Sequence, residues 1–375
     1  MNNRSLLTAD FIKVIAVNVL FHMSFTAFFL LPLLIKSLGG NEADIGLIMG
    51  ASGFASVLMI PVVGSLVDRF GRKIFLVYGT IIMSIASLLY IFITDLSIPA
   101  FIFLRILQGV GFAFTFIAAQ TIAVDIVPDE RRAEGLGLFG VFTMTTHAIG
   151  PAIAELIQVH FGYSALFILS GFFGVAAMFF ALKLNETHTV KQNFINPLKF
   201  IAENHHLTGI LLATTICGAG FGSVLVFIPT YMKELSLNPI SSFFLSYTAA
   251  AILTRLFFGH LADKYDRGRI VLPSMLFYGL SIIALIFVRN IFTIASIAVA
   301  FGIAHGLIYP AMGAIVVDNA KKEKGKAMAF YSGAFNIGVT MSSFIYGFLA
   351  NSYSYETMYI TSGIVVIIGM LILKI

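Results

Sequence analysis

Three histidines and one glutamate lie inside long apolar stretches, where ionisable side chains are rare. His22, His147 and His305 each fall near the middle of such a stretch, and Glu155 lies about one turn from the end of another. Histidine changes its charge near neutral pH, and a carboxyl group can also carry a proton. Because a charge is costly in apolar surroundings, these positions are candidates for proton transfer. The alternative for each histidine is a neutral ring hydrogen-bonded to a neighbouring helix.

Arg105 and Gln108 are polar residues on one face of a single apolar stretch. Arg105 and Glu155 lie at similar depths on consecutive predicted helices, so an ion pair between them is one expectation. The other is that Glu155 is the first candidate for a proton carrier, followed by His22 and His305. No two of these residues are spaced as metal ligands on one helix, so we expect no metal site.

Other polar and aromatic residues are candidates for a substrate pathway. Tyr309 shares the segment AHGLIYP with His305, and Asn18 and Asn336 are weaker candidates at intermediate depth. Arg255 is expected to be structural, facing either Asp263 or the interface with span eleven. Candidates for lining an apolar cavity are Phe25, Phe112 and Phe221.

A glycine-and-charge pattern occurs twice, almost two hundred residues apart. Residues 64–73 read GSLVDRFGRK and residues 259–269 read GHLADKYDRGR. In the first copy Arg72 follows Asp68 by four residues, a spacing that lets the two side chains meet on a helix. Gly64 is expected to allow neighbouring helices to approach closely, as small residues do between membrane helices. Repeated charges in an apolar chain suggest a mechanical or a chemical role.

The composition indicates an all-α membrane protein. Of 375 residues, 59% are hydrophobic and only 11% are charged, against about 25% charged residues in soluble domains. A single cysteine excludes a disulfide framework. About 20 apolar residues cross a bilayer as a helix, and twelve such spans are predicted. Their approximate ranges are 12–35, 45–65, 74–94, 99–126, 133–158, 163–184, 207–232, 240–262, 270–288, 291–318, 325–350 and 356–374.

Lysine and arginine predict the orientation, because cytoplasmic loops carry an excess of them. With the amino terminus inside, eighteen of the 23 basic residues fall on the cytoplasmic side, three fall in outer loops and two lie within spans. Both termini are therefore expected in the cytoplasm. This topology explains the net charge of +5 without a nucleic acid partner. The first span is neither short nor followed by a cleavage signal, so we expect it to be retained.

Internal similarity divides the chain into two homologous halves. Pro32 matches Pro229 in the segments that precede the two charged motifs, and FGYSALFILSG at 161–171 resembles YSYETMYITSG at 353–363. We predict two six-helix bundles, 1–184 and 207–375, joined by a cytoplasmic linker at 185–206. Transporters built from parallel repeats have a substrate site between the halves.

These features together resemble the major facilitator superfamily over the entire chain. The first charged motif, RILQGVG at 105–111 and the fifth span carry the resemblance, and that span is similar to a motif of drug and metabolite antiporters. Gly137, Gly150 and Pro151 match this motif, whereas Thr146, Ala154 and Glu155 depart from it. The resemblance implies that Asp68, Arg72 and Asp125 form a cytoplasmic gate, with Asp263, Arg267 and Asp318 as its counterpart. The alternative is that the basic residues only set the topology.

The resulting functional hypothesis is a secondary active transporter. We expect proton-coupled efflux of a small, partly apolar compound by alternating access, driven by the proton gradient with no cofactor. Proton-linked uptake of a sugar or an organic anion, bound by Arg105, is the alternative, and a non-transporting sensor is a more distant one. The chain has no phosphate-binding loop and no catalytic constellation, so an ATP-driven pump or an enzyme is not expected. The expected protein is a monomer in a bacterial plasma membrane.

Overall fold

The computed structural model describes residues 6–128, 131–187, 207–258, 267–320 and 324–373, which are helical and contain no strand. Short 3-10 turns extend some of the helices. The α-helices are α1 (Ala9–Thr26), α2 (Leu31–Ser37), α3 (Glu42–Phe70), α4 (Arg72–Leu89), α5 (Ile98–Ile126), α6 (Arg132–Leu182), α7 (Thr208–Glu234), α8 (Ser241–Phe258), α9 (Gly268–Ile283), α10 (Ile291–Asn319), α11 (Lys324–Ser352) and α12 (Tyr355–Gly369).

Eleven helical segments of the described residues are long and apolar enough to cross a bilayer. One of them, Glu134–Leu182, has 49 residues and would be roughly 70 Å long if straight, more than twice the hydrocarbon thickness of about 30 Å. Gly162 interrupts it with a positive φ of 81°, so α6 is two helices that meet at a bend. If α6 is counted as two spans, and α1 with α2 as the single span Ala9–Ser37, the total is the predicted twelve crossings.

Local sequence explains where several helices begin. The first N–H groups of a helix have no intrahelical acceptor, so a side-chain oxygen commonly accepts from them. The hydroxyl of Thr8 accepts from the backbone of Phe11 at 3.2 Å, and that of Ser354 accepts from Thr357 at 3.2 Å. Asn290 accepts from two backbone groups at the start of α10.

The first of two compact units comprises residues 1–31 and 54–194. Buried serines join three of its helices: the hydroxyl of Ser170 lies 3.0 Å from that of Ser24 on α1 and 3.0 Å from that of Ser87 on α4. Helices α4 and α5 approach closely, because a Cβ on Gly79 would lie 2.8 Å from the carbonyl oxygen of Gly111. Small residues and hydroxyl pairs are the usual means of association between membrane helices.

The second unit comprises residues 32–53 and 195–375 and uses the same devices. The hydroxyls of Ser223 on α7 and Ser362 on α12 lie 2.7 Å apart. Ser362 corresponds to Ser170 in the internal repeat. Ser24, the partner of Ser170, lies on the first helix of the first half, and Ser223, the partner of Ser362, lies on the first helix of the second half. A Cβ on Gly279 of α9 would lie 2.8 Å from the carbonyl oxygen of Gly363 on α12. The two halves therefore share packing details as well as sequence motifs.

The segment 32–53 belongs to the second unit because the start of α3 packs on α11 and α12. A Cβ on Gly50 would lie 2.6 Å from the ring of Phe344. The hydroxyl of Tyr355 donates to the carboxylate of Glu42 at 3.0 Å, and Lys36 forms an ion pair with the same carboxylate. Helix α3 thus begins in one compact unit and continues in the other.

Candidate functional site

His22 is buried in the first unit, with 3% of its surface exposed. Its Nδ1 lies 2.8 Å from the backbone carbonyl of Asn18, one turn earlier on α1. A carbonyl only accepts hydrogen bonds, so Nδ1 carries a hydrogen and Nε2 is the nitrogen that can accept a proton. The Asn18 amide donates to the hydroxyl of Thr143 on α6 at 2.6 Å. Asn18, also a predicted candidate, therefore connects the histidine helix to α6.

Arg105 and Gln108 form the second polar group of this unit. Both are buried, with 3% and 0% exposure. Nη1 of Arg105 donates to Oε1 of Gln108 at 2.9 Å, and the hydroxyl of Tyr90 lies 3.5 Å from the same oxygen. Glu155, predicted either to pair with Arg105 or to carry a proton, is also buried, with 8% exposure. The pairing with Arg105 stays a prediction.

One face of α5 connects these two polar groups. Arg105, Gln108 and Phe112 follow one another at helical spacing, so they lie on the same face. The ring of Phe112 lies 5.9 Å from that of His22 and 4.8 Å from that of Phe25. The predicted aromatic lining is thus in contact with the candidate proton site. His147, another predicted candidate, is only half-buried and contacts the ring of Phe29.

His305 lies in a cluster of aromatic rings in the second unit. Its ring stacks on Phe221 with centroids 4.7 Å apart and lies 6.0 Å from the rings of both Tyr309 and Phe335. Only 8% of His305 is exposed. Phe221 and Tyr309, both named from the sequence, therefore share one site with His305, whereas Phe335 on α11 was not anticipated.

Tyr309 connects α10 to α11. The hydroxyl of Tyr331 donates to the backbone carbonyl of Tyr309 at 2.5 Å, and the two rings lie 5.0 Å apart. Asn336, a weaker candidate, is half-buried on the same helix, and its backbone carbonyl accepts from Thr340. Sequence reasoning missed Tyr331, although its position as the eighth residue of α11, within an apolar span, made it a candidate for a buried hydroxyl.

The first charged motif is assembled at one end of the first unit. Arg72, which begins α4, forms an ion pair with Asp125 near the end of α5, and Asp68 acts on it electrostatically. Arg72 is 3% exposed, so solvent screens this pair only weakly. The three residues that the resemblance implied are therefore neighbours.

The cluster is completed by Glu186 and Thr187, which follow α6 in the chain. The sequence analysis did not anticipate either residue. The carboxylate of Glu186 accepts from the backbone N–H groups of Arg72 and Lys73 at 3.0 to 3.1 Å. Negative charge at a helix amino terminus is stabilising, so Glu186 caps α4. Thr187 donates to Asp125 at 2.8 Å and accepts from Arg72 at 3.2 Å. The available signal was an acidic and a hydroxyl residue directly after the sixth apolar span.

The second charged motif is only partly described. Arg267 pairs with Asp318 and donates to the backbone carbonyl of Ala314 at 2.7 Å. Asp263, predicted as part of this gate, lies outside the described residues, as do residues 188–206 of the predicted linker. The side chains of Arg267 and Asp318 are 25% and 59% exposed, against 4% and 22% for Arg72 and Asp125.

The predicted role of Gly64 in helix packing requires a correction. Among the described residues, no heavy atom lies within 4 Å of a Cβ added at this position. The predicted close approach of helices at Gly64 is therefore not found there. Close approach occurs instead one helix later, at Gly79, where the backbones of α4 and α5 meet.

Comparison with known proteins decides the family. A model of the Major Facilitator Superfamily matches residues 14–244 and 210–375. The chain belongs to this superfamily. The transporter is 23% identical over 364 residues to the staphylopine export protein of Staphylococcus aureus, covering 91% of this chain and 89% of that protein.

A second relative and one solved structure are also similar to this chain over most of its length. The multidrug resistance protein MdtG of Salmonella choleraesuis is 26% identical over 354 residues, covering 89% of this chain and 87% of that protein. A solved structure of a variant of the nucleoside transporter NupG matches with a TM-score of 0.76 at 13% identity, covering 96% of this chain and 98% of that one. This likeness shows the fold. The protein is a multi-pass membrane transporter and not an enzyme.

Proposed function

We propose that this transporter exports a small, partly apolar compound from the cytoplasm in exchange for protons. The observation that carries the proposal is the set of buried ionisable side chains in the spans of the first unit, namely His22, Arg105 and Glu155. Ionisable residues inside membrane spans usually mark substrate, ion or proton pathways. Two relatives that match nearly the whole chain are named as an export protein and a multidrug resistance protein.

Glu155 and His22 are the proposed proton carriers. A buried carboxyl group is neutral when protonated and costly when charged, so its proton occupancy can bias which conformation is stable. Nε2 of His22 can take up a proton while Nδ1 keeps its bond to Asn18. Arg105, held by Gln108, supplies a fixed positive charge on the same face of α5. Substrate and proton would then use neighbouring groups of one bundle.

The two cytoplasmic ion pairs are the proposed gates. Alternating access requires contacts that form on one side of the membrane when that side closes and break when it opens. Arg72–Asp125 and Arg267–Asp318 are such contacts, and the first also involves Glu186 and Thr187 at the end of α6. The expected setting is two six-helix bundles, 1–184 and 207–375, in a monomer. Both termini face the cytoplasm of a bacterial cell.

A flux assay in proteoliposomes tests the proposal. A panel of small apolar and amphipathic compounds is loaded, and their movement is measured with and without an imposed pH gradient. We expect an opposing proton gradient to accelerate substrate movement. Flux that ignores the gradient would remove proton coupling, and movement of substrate and protons in the same direction would indicate uptake instead.

A further inference from the structure

Arg255 on α8 is a second arginine inside a membrane span. Among the residues that the structure describes it forms no ion pair, and its buried Nε atom has no hydrogen-bond partner. The groups that act on it electrostatically are the tyrosine hydroxyls of residues 247, 309 and 331, none of which carries a charge at neutral pH. A cation in a span normally pairs with an anion or faces a water-filled space. This guanidinium therefore lacks a counter-charge in the described part of the chain.

Tyr309 lies between Arg255 and a small cavity. The guanidinium carbon of Arg255 lies 5.6 Å from the centre of the Tyr309 ring, within the range of a cation–π contact. The same tyrosine lines a cavity with room for about one water molecule, together with Tyr278, His305, Tyr331 and Phe335. Both Arg255 and Tyr309 are half-buried, so part of each residue lies at the protein surface.

The cavity has mainly aromatic walls, and Tyr278 belongs to its lining. The hydroxyl of Tyr278 is buried without a hydrogen-bond partner, and the residue is 1% exposed. A buried hydroxyl without a partner costs free energy that a ligand oxygen could recover. Ring faces favour flat apolar groups, and the adjacent guanidinium favours a planar acidic group that can accept two parallel hydrogen bonds.

We propose that Arg255, Tyr309 and the cavity beside Tyr309 form a binding subsite for a small aromatic organic anion. The acidic group binds the guanidinium, and the aromatic ring packs against the exposed part of the Tyr309 side chain beside the cavity. A cationic ligand is disfavoured here because Arg255 would repel it. This inference rests on the proposed transport function and gives it a substrate class, whereas the sequence alone indicated a structural role for Arg255.

Direct binding to the purified full-length transporter in detergent tests the subsite. Three probes of similar shape are compared by equilibrium dialysis at neutral pH: naphthoate, naphthol and naphthyltrimethylammonium. We expect the wild type to bind naphthoate most tightly. Arg255→Gln should weaken naphthoate binding about tenfold, as expected for the loss of a charge-assisted contact, and change naphthol binding less than about twofold.

Two further variants control this comparison. Arg255→Lys keeps the charge but loses the bidentate donor geometry of the guanidinium, so it should weaken naphthoate binding less than Arg255→Gln does. It also tests the subsite if Arg255→Gln does not fold. Arg289→Gln makes the same change on an exposed loop and should bind as the wild type does. Equal loss for all three probes would mean that Arg255 is only structural. Unchanged naphthoate binding in Arg255→Gln, or no naphthoate binding by the wild type, would overturn the subsite.

Flux measurements separate this inference from the proposed function. If naphthoate flux depends on Arg255 but ignores a pH gradient, proton-coupled export fails and the subsite stands. If another compound moves in exchange for protons and Arg255→Gln leaves its transport and naphthoate binding unchanged, the subsite fails and the proposed function stands.

Discussion

Gln108 accepts a hydrogen bond from the buried guanidinium of Arg105, and at the residue scale this contact joins the two polar side chains of α5 in the first unit. The spacing of three residues placed the two side chains on one helix face, so the sequence could suggest their proximity. The contribution of Tyr90 could not be predicted, since it comes from the end of another helix. A neutral amide leaves the charge of Arg105 in place, as the proposed role of this residue beside a proton or substrate site requires.

Gln108→Leu should destabilise the transporter more than Tyr90→Phe does. Leucine removes the acceptor and leaves a buried charged donor without its partner, which costs about 1 to 3 kcal/mol. Phenylalanine removes only a long hydrogen bond of 3.5 Å. Thermal unfolding in detergent measures both variants. Equal melting temperatures would contradict the importance of the Arg105–Gln108 contact.

Glu155→Gln should abolish the stimulation of transport by a pH gradient while the protein still inserts into the membrane. Glutamine keeps the size and hydrogen bonding of the side chain but cannot release a proton. Glu134→Gln is the matched control, because it lies on the same helix, is 57% exposed and pairs with Arg131 at the surface. Initial rates in proteoliposomes give the comparison. Gradient-driven flux that persists in Glu155→Gln would assign the proton to another group, with His22 next.

The amino-terminal end of α4 shows how an element positions a charged side chain. Gly71 precedes α4 with a φ of 99°, a conformation that suits glycine, and a Cβ there would lie 2.7 Å from the carboxylate of Glu186. The glycine therefore lets Glu186 cap the helix, and the capped helix presents Arg72 to Asp125. The repeated motif in the sequence drew attention to Arg72, and the resemblance to the superfamily implied its partner Asp125. It could not reveal Glu186, which arrives from the end of α6.

Asp68→Asn should leave the transporter in the membrane but slow its cycle. The carboxylate acts on Arg72 electrostatically, and its loss weakens the ionic cluster without changing side-chain size. Asp95→Asn, in an exposed loop, is the control. Membrane abundance and transport rate are measured together for both variants. Normal transport by well-expressed Asp68→Asn would refute the gating role and leave topology as the function of the motif.

At the scale of the whole molecule, the two related halves carry unequal ionic contacts. Arg72 is buried and engages Asp125 and Thr187, whereas Arg267 and Asp318 are considerably more exposed. Exposed ion pairs contribute little, typically 0 to about 1 kcal/mol, and salt screens them. The sequence motifs differ where Gly71 and Lys73 of the first copy correspond to Asp266 and Gly268 of the second. An unequal pair of gates is therefore our expectation.

Arg72→Gln should alter transport more strongly than Arg267→Gln. The first variant leaves Asp125 without its ionic partner in a partly buried position, while the second leaves Asp318 solvated. Transport rates, normalised to folded protein, are compared at low and high salt. We expect salt to reduce the difference between wild type and Arg267→Gln. Equal effects of both substitutions at low salt would contradict the proposed asymmetry.

The sequence by itself determined the number of crossings, the helical fold and the positions of the charged motifs. Bilayer thickness demands about 20 apolar residues per crossing, and that requirement is visible without coordinates. Only the tertiary structure decided which side chains meet between elements: Gln108 with Tyr90, Glu186 with α4, and Arg255 with Tyr309. These contacts depend on how helices distant in sequence rotate and pack, which local patterns do not specify. Within the described parts of the chain, this packing leaves Gly64 without a close neighbour and brings two helix backbones together at Gly79.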